Sequence, residues 1–147
     1  MSENAYIVGD VEIGQGSSVW PGTVIRGDSG RILIGERTCI QDNSVVHGDA
    51  DVEIGDDVVI GHRVLCHARV VGSGSLLGNG CIVNDGVVIG VESLVASGAM
   101  VIDKMAIPAR SVVVGVPGRV RREVTDRDLE RIKSYREIYI RNTAMYK

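Results

Sequence analysis

Three histidines, His47, His62 and His67, are the only ones in this 147-residue chain, and they fall within 21 residues of one another. Two of them form the segment Gly61-His62-x4-His67. Neutral imidazole is the commonest protein ligand for zinc-like ions, and three imidazoles with a fourth position left open make a catalytic zinc site. A single surface histidine is ordinarily just a solvated side chain, so spacing alone decides little. The elements that position these three decide more.

Aliphatic residues followed by a small or polar residue recur with a period near six, as in Ile13-Gly14, Ile34-Gly35, Ile54-Gly55, Ile60-Gly61, Leu77-Gly78 and Ile89-Gly90. The full register runs Ile7, Ile13, Val19, Ile25, Ile34, Ile40, Val46, Ile54, Ile60, Cys66, Val71, Leu77, Val83, Ile89, Val95, Val101, Ile107 and Val113. Such a hexapeptide period is the signature of a parallel β-helix, in which each unit is a short strand plus a turn and three units close one triangular coil. The longer steps predict small outward loops at Asp28–Arg31 and Asp49–Asp51. The repeat ends near Gly115-Val116-Pro117-Gly118. After it, Val124-Thr125-Asp126-x-Asp128 reads as a capping-box start, and Leu129, Ile132, Tyr135 and Tyr139 recur at helical spacing. The expected organisation is an all-β solenoid over residues 1–118, followed by a linker and a C-terminal α-helix within 119–147, the helix covering about 126–142.

This register converts sequence into geometry. Val46 and Cys66 are three units apart, which is one coil, so His47 and His67 occupy the same slot and stack at roughly the 4.8 Å inter-strand distance. Two rings so placed reach one ion, whose bonds to nitrogen are about 2.0–2.1 Å. His62 is the third residue of its unit, on a neighbouring face, and does not complete that site within one chain. A second copy could supply it, and the simplest closed arrangement is a three-fold ring. Arg26 and Asn84 fall in the His47–His67 column; Asp42 and Asn79 fall in the His62 column, with Gln41 near the same region. Arg26 and Asp42 would pair if the two columns met, either as a structural ion pair or as support for the site. Asn79 and Asn84 otherwise read as turn or face residues.

Composition sets further bounds. Aromatics are 3% with no Phe, and Gly is high at 19, so the core must be a regular array of aliphatic side chains. The net charge of −3 gives no case for nucleic-acid binding. Residues 1–118 hold 7 Lys/Arg against 14 Asp/Glu, a net of −7, and residues 119–147 hold 9 against 5, a net of +4. A basic tail on an acidic body is expected to dock on its own solenoid or on a neighbouring subunit. Cys39, Cys66 and Cys81 are odd in number and widely spaced, and neither a signal peptide nor a long apolar run is recognisable, which points to a reduced, cytoplasmic protein with no membrane partner. Cys66 heads a unit and is expected in the core; Cys39 and Cys81 read as small corner or surface residues; Trp20 and the helix tyrosines read as packing residues.

With these segments in place the chain resembles the γ-class carbonic anhydrases. The matching stretches are Ser18-Val19-Trp20-Pro21-Gly22, Val24-Ile25-Arg26-Gly27-Asp28, Ile40-Gln41-Asp42-Asn43-Ser44-Val45-Val46-His47, Gly61-His62-x4-His67 and Gly115-Val116-Pro117. The resemblance implies a left-handed β-helix homotrimer with Zn2+ (or Fe2+ or Co2+) at subunit interfaces, bound by His47, His62 and His67. It also implies that Gln41 holds the metal-bound water or hydroxide, that Arg26, Asp28 and Asp42 support the site, and that Tyr139 lies close to it. The reaction implied is the reversible hydration of CO2 to bicarbonate. Two departures from the best-studied archaeal members stand out: Ser29 replaces a Glu, and only 14 residues separate His47 from His62, so the acidic loop bearing a proton-shuttling Glu is absent. Two other readings stay open. Hexapeptide folds also host acyltransferases and thioesterases, and some short-loop relatives carry labels such as ferripyochelin-binding protein, a non-catalytic metal or siderophore scaffold.

Overall fold

A computed structural model of the protein describes residues 1–145; the last two residues of the segment expected at 119–147 lie outside the described residues. The chain winds into a left-handed parallel β-helix of about six coils, followed by one α-helix. Most strands are two residues long, one side chain pointing in and one out, and each strand pairs in parallel with its counterpart one coil away.

The three faces of the prism follow the six-residue period. The first, which we call the ladder face, holds residues 6–9, residues 24–27, Val45–His47, Leu65–Cys66, Ile82–Val83 and Met100–Val101. Next in chain direction comes the rear face, with residues 11–13, residues 32–34, Val52–Ile54, Val70–Val71, Val88–Ile89 and Ala106–Ile107. The helix face carries Ser18–Val19, Cys39–Ile40, Val59–Ile60, Leu76–Leu77, Leu94–Val95 and Ser111–Val114.

Each expected inward column is continuous through the coils: Ile7, Ile25, Val46, Cys66, Val83 and Val101 pair in register along the ladder face. Sixteen of the eighteen register residues are buried, while Ile7 and Ile13 are half-buried because the first coil has nothing stacked on its outer side. Burying one such aliphatic side chain is worth about 1.5–3 kcal/mol, and a repeated column multiplies that gain without any aromatic. The corners need close backbone approach. At Gly61 an added Cβ would lie 2.5 Å from Asn79 Oδ1 and 3.0 Å from backbone of the next coil, so the residue before His62 has no room for a side chain.

Four local expectations change. Residues 28–31 do not loop out but stay inside the continuous strand Val24–Ile34, which pairs with Tyr6–Ile13 on both sides of a bulge. Arg31 holds this insert extended: its side chain bonds Glu12 at 2.6 Å, and its backbone N–H donates to Asp51 Oδ1 at 2.9 Å. The loop at 49–51 does form. Cys39 and Cys81 are buried rather than at the surface: Cys39 lies on a strand that the C-terminal helix packs against, and Cys81 joins the central core. Burial pushes the thiols of Cys39 and Cys81 up to about 12, and that of Cys66 to about 11. Finally, part of the expected linker is a strand, Arg119–Glu123, antiparallel to Ser111–Val114 at the end of the helix face.

The α-helix spans Asp126–Asn142. Thr125 caps it: Asp128 N–H donates to the Thr125 hydroxyl at 3.3 Å, and Thr125 N–H donates to the Asp128 carboxylate at 2.9 Å. Arg122 grips the same carboxylate with two bonds of 2.6 and 3.2 Å. Val124, Leu129 and Ile132 then pack on the outward residues Val59, Leu76, Leu94 and Val112, which is how an apolar outer sheet face becomes a second, smaller core. Farther along, Arg136 pairs with Asp57 at 3.1 Å and ties the helix to a solenoid corner. Among the described residues no helix is long and apolar enough to cross a membrane.

Candidate metal centre

Two polar columns flank the ladder face. Beyond its far edge, Arg26 pairs in register with His47, and His67 follows one coil later. The two imidazoles face each other, with ring centroids 4.9 Å apart and His47 Nδ1 2.8 Å from His67 Nε2. The opposite nitrogen of His47, Nε2, is 3.1 Å from Asp28 Oδ1. A carboxylate only accepts, so Nε2 carries the proton and Nδ1 is left as a lone pair aimed at His67. A guanidinium only donates, so Arg26, 3.2 Å from the same Nε2, acts through Asp28, which it pairs with at 3.2 Å. Desolvation opposes the charged form of Asp28, but Arg26 and His47 together hold its carboxyl below the ordinary range.

His62 sits at the corner that enters the ladder face, across that face from His47 and His67. Its Nδ1 is 3.0 Å from Asp42 Oδ2, which leaves Nε2 as the lone-pair nitrogen, and the Tyr139 hydroxyl lies 3.0 Å from it. Its backbone N–H donates to Asn79 Oδ1 at 2.9 Å, so Asn79 belongs to this column and caps the corner. Tyr139 is packed edge-on to Trp20, with ring centroids 5.0 Å apart, which orients the phenol. Gln41 is buried and lines, with His62, Tyr139, Tyr135 and Arg131, a cavity of about 430 Å³ between the solenoid and the helix.

The structure therefore brings His47, His67, Arg26 and Asp28 together at one edge, and His62, Asp42, Gln41 and Tyr139 together at the other. Arg26 and Asp42 do not pair within one chain. Among the described residues, the metal-binding atoms that converge within 4.8 Å of one another belong to His47, His67 and Asp49, not to His62. The sequence reading passed over Asp49. Its signal was the eight-residue step after Val46, which inserts two residues immediately after a histidine and allows the chain to curl back.

The donor chemistry at the His47–His67 edge fits a divalent cation. The two facing imidazole nitrogens are 2.8 Å apart, a hydrogen-bond distance, and a small opening of the pair would let both direct lone pairs at one ion with bonds of about 2.0–2.1 Å. The ring nitrogens turned away from that point meet Asp28 and, at 3.9 Å, Asp85. Carboxylates behind ligating histidines fix the ring and raise its basicity, which is the usual outer layer of a metal site.

Fold and donor geometry define a hexapeptide-repeat β-helix protein with a candidate His/Asp metal site. No protein-family model matches the chain. It is 40% identical to "Probable carbonic anhydrase" of Methanocaldococcus jannaschii over 155 residues, 96% of this chain and 90% of that protein. It is 36% identical to "Gamma carbonic anhydrase 2, mitochondrial" of Arabidopsis thaliana over 95% of this chain, and spans about half the length of that relative. A solved structure, the hexapeptide transferase family protein from Anaplasma phagocytophilum, superposes with a TM-score of 0.89 at 34% identity, covering 99% of this chain and 90% of that one. The chain belongs to the γ-carbonic anhydrase family, whose members are metal-dependent.

Proposed function

We propose that the protein hydrates CO2 reversibly to bicarbonate at a divalent metal, Zn2+ or alternatively Fe2+ or Co2+, shared between neighbouring copies of a homotrimer. The observation that carries this reading is the division of the three histidines between the two edges of one face. Each chain has two imidazoles at one edge of its ladder face and the third at the other, so a ring closed edge to edge completes three equivalent sites. The outer surface of that face supports the same arrangement. Its outward residues Tyr6, Val24, Val45, Leu65, Ile82 and Met100 form an unbroken apolar ladder with no helix over it. Tyr6 is 62% and Leu65 39% exposed, whereas the matching residues of the helix face are buried beneath the helix. Apolar patches of this kind on a small protein mark an interface. The equivalent column of the rear face is interrupted by Glu12 and Glu53.

His47, His67 and the neighbouring copy's His62 would hold the ion, which when bound to neutral imidazoles would supply a Lewis acid that lowers the pKa of water to about 7. The chain's own residues do the rest. Asp42, beside Nδ1 of His62, leaves its Nε2 free, and Asp28, braced by Arg26 beside Nε2 of His47, leaves its Nδ1 free. Gln41, buried at the cavity wall, orients the attacking oxygen. Tyr139, held by Trp20, presents a hydroxyl beside His62 and provides a hydrogen-bonding step toward the cavity for the departing proton. CO2 carries no charge, so the apolar floor of Val59, Leu76 and Leu94 in the same cavity admits it without cost.

An acyl-transfer reading is favoured by solved neighbours named as transferases, among them the hexapeptide transferase family protein and a "putative acetyltransferase" from Bacillus cereus, and it predicts coenzyme A binding independent of metal. A non-catalytic metal or siderophore scaffold predicts bound metal without turnover. Metal analysis combined with a CO2 hydration assay separates the three. The wild type is expected to hold one tightly bound metal per chain and to accelerate hydration, and His62→Ala to lose tight binding and fall to the buffer rate. Hydration surviving at the wild-type rate in His62→Ala would contradict the proposal.

A further inference from the structure

The short loop after His47 carries two acids with different fates. Asp51 is used by the fold, its carboxylate accepting the Arg31 N–H at 2.9 Å. Asp49 is exposed and makes no hydrogen bond or ion pair among the described residues, yet its carboxylate lies within 4.8 Å of the binding nitrogens of both His47 and His67. Local sequence accounts for the placement. Gly48 is buried, and a Cβ there would lie 2.5 Å from Val52 Cγ2, so the chain turns tightly at once after His47 and brings the next side chain back over the histidine pair. Three carboxylates, Asp28, Asp49 and Asp85, surround the two rings; of the two guanidiniums nearby, Arg26 is already paired with Asp28 and Arg69 lies on the His67–Asp85 side, which leaves the acids in excess. The negative potential that remains favours a cation. Two imidazoles and one carboxylate are a donor set used by zinc sites with an open position.

We infer that a single chain holds a divalent cation on its own through His47, His67 and Asp49. Where the ring of the proposed function forms, His62 of the neighbouring copy then takes the place of Asp49. The carboxylate-ligated ion carries one unit less net charge than the ion on three imidazoles, and is therefore the weaker Lewis acid.

The test reads metal binding, not turnover. Zn2+ affinity is measured by competition with a chromophoric chelator, and the visible spectrum of the Co2+ form is recorded, for full-length His62→Ala and His62→Ala/Asp49→Asn. His62→Ala is expected to keep one ion per chain at reduced affinity. Adding Asp49→Asn is expected to weaken binding by at least the roughly tenfold that loss of even an outer-layer partner of a ligand costs, and to change the Co2+ absorption. A third variant, His62→Ala/Asp49→His, restores three imidazoles within one chain and should recover affinity even if the Asn variant is poorly folded. Equal affinity and identical Co2+ spectra with and without Asp49, and no recovery with His, would overturn the inference. His62→Ala binding as tightly as wild type would instead overturn the shared site, and the Asp49 comparison would still be decisive for this one.

Discussion

At His62 the two ring nitrogens face different neighbours: the Asp42 carboxylate lies 3.0 Å from Nδ1, and the Tyr139 hydroxyl lies 3.0 Å from Nε2. The account separates these two contacts. Tyr139→Phe removes a hydroxyl that must leave the His62 Nε2 lone pair when an ion binds there, so metal content should stay at wild-type stoichiometry while hydration slows by roughly two- to tenfold, the range of one neutral hydrogen bond. Stopped-flow hydration beside metal analysis checks this, and loss of metal in Tyr139→Phe would reassign the tyrosine to holding the site together. Residue identity was legible in the sequence wherever the repeat fixed a slot: His47 and His67 stack because the period makes them stack. Asp49 was not, because a loop side chain that folds back has no period. Cys39 was misjudged because its cover is the helix, an element distant in sequence.

Among the elements, the solenoid was almost fully readable, since a six-residue unit with one inward aliphatic leaves few alternatives, and the eighteen-residue register pairs as expected. The helix bounds were readable for a different reason, the capping box at Thr125 and Asp128. The strand Arg119–Glu123 was missed because all five of its residues are exposed and four are charged, so no alternation marks it. The cap governs a functional contact, since this helix carries Tyr139 to His62. Thr125→Ala should cost about 1 kcal/mol, seen as a lower melting temperature and faster amide exchange in 126–142. The two bonds from Arg122, then the Thr125 N–H, hold the Asp128 carboxyl far below its ordinary value. A group whose folded pKa is depressed stabilises the fold above its unfolded value, about 3.9 for Asp, and loses that contribution as pH falls through the folded value. Helix docking should therefore weaken only below about pH 4, read through Trp20 fluorescence because Trp20 stacks on Tyr139. In Asp128→Asn this acid step should shrink to the share that Asp57 carries through Arg136, and docking should be weaker at neutral pH; an unchanged acid profile would show that other groups control it.

For the whole molecule, the prism disposes of its three apolar outer surfaces differently. The helix covers one, acidic residues break another, and the ladder face stays apolar and open between the two histidine edges. On the proposed function, a ring of three copies would bury that face and unite the edges. That is the central claim, and complementation between inactive subunits tests it most directly. His47→Ala lacks the stacked pair but keeps its His62; His62→Ala keeps the pair but lacks the bridge. Each homotrimer alone should be inactive and without tightly bound metal. Co-expressed with different tags and purified as mixed trimers, they should regain tight metal and hydration at the interfaces where an intact pair meets an intact His62, at most one site per mixed trimer. Mixed trimers with no more metal or hydration than the parent variants would contradict the account.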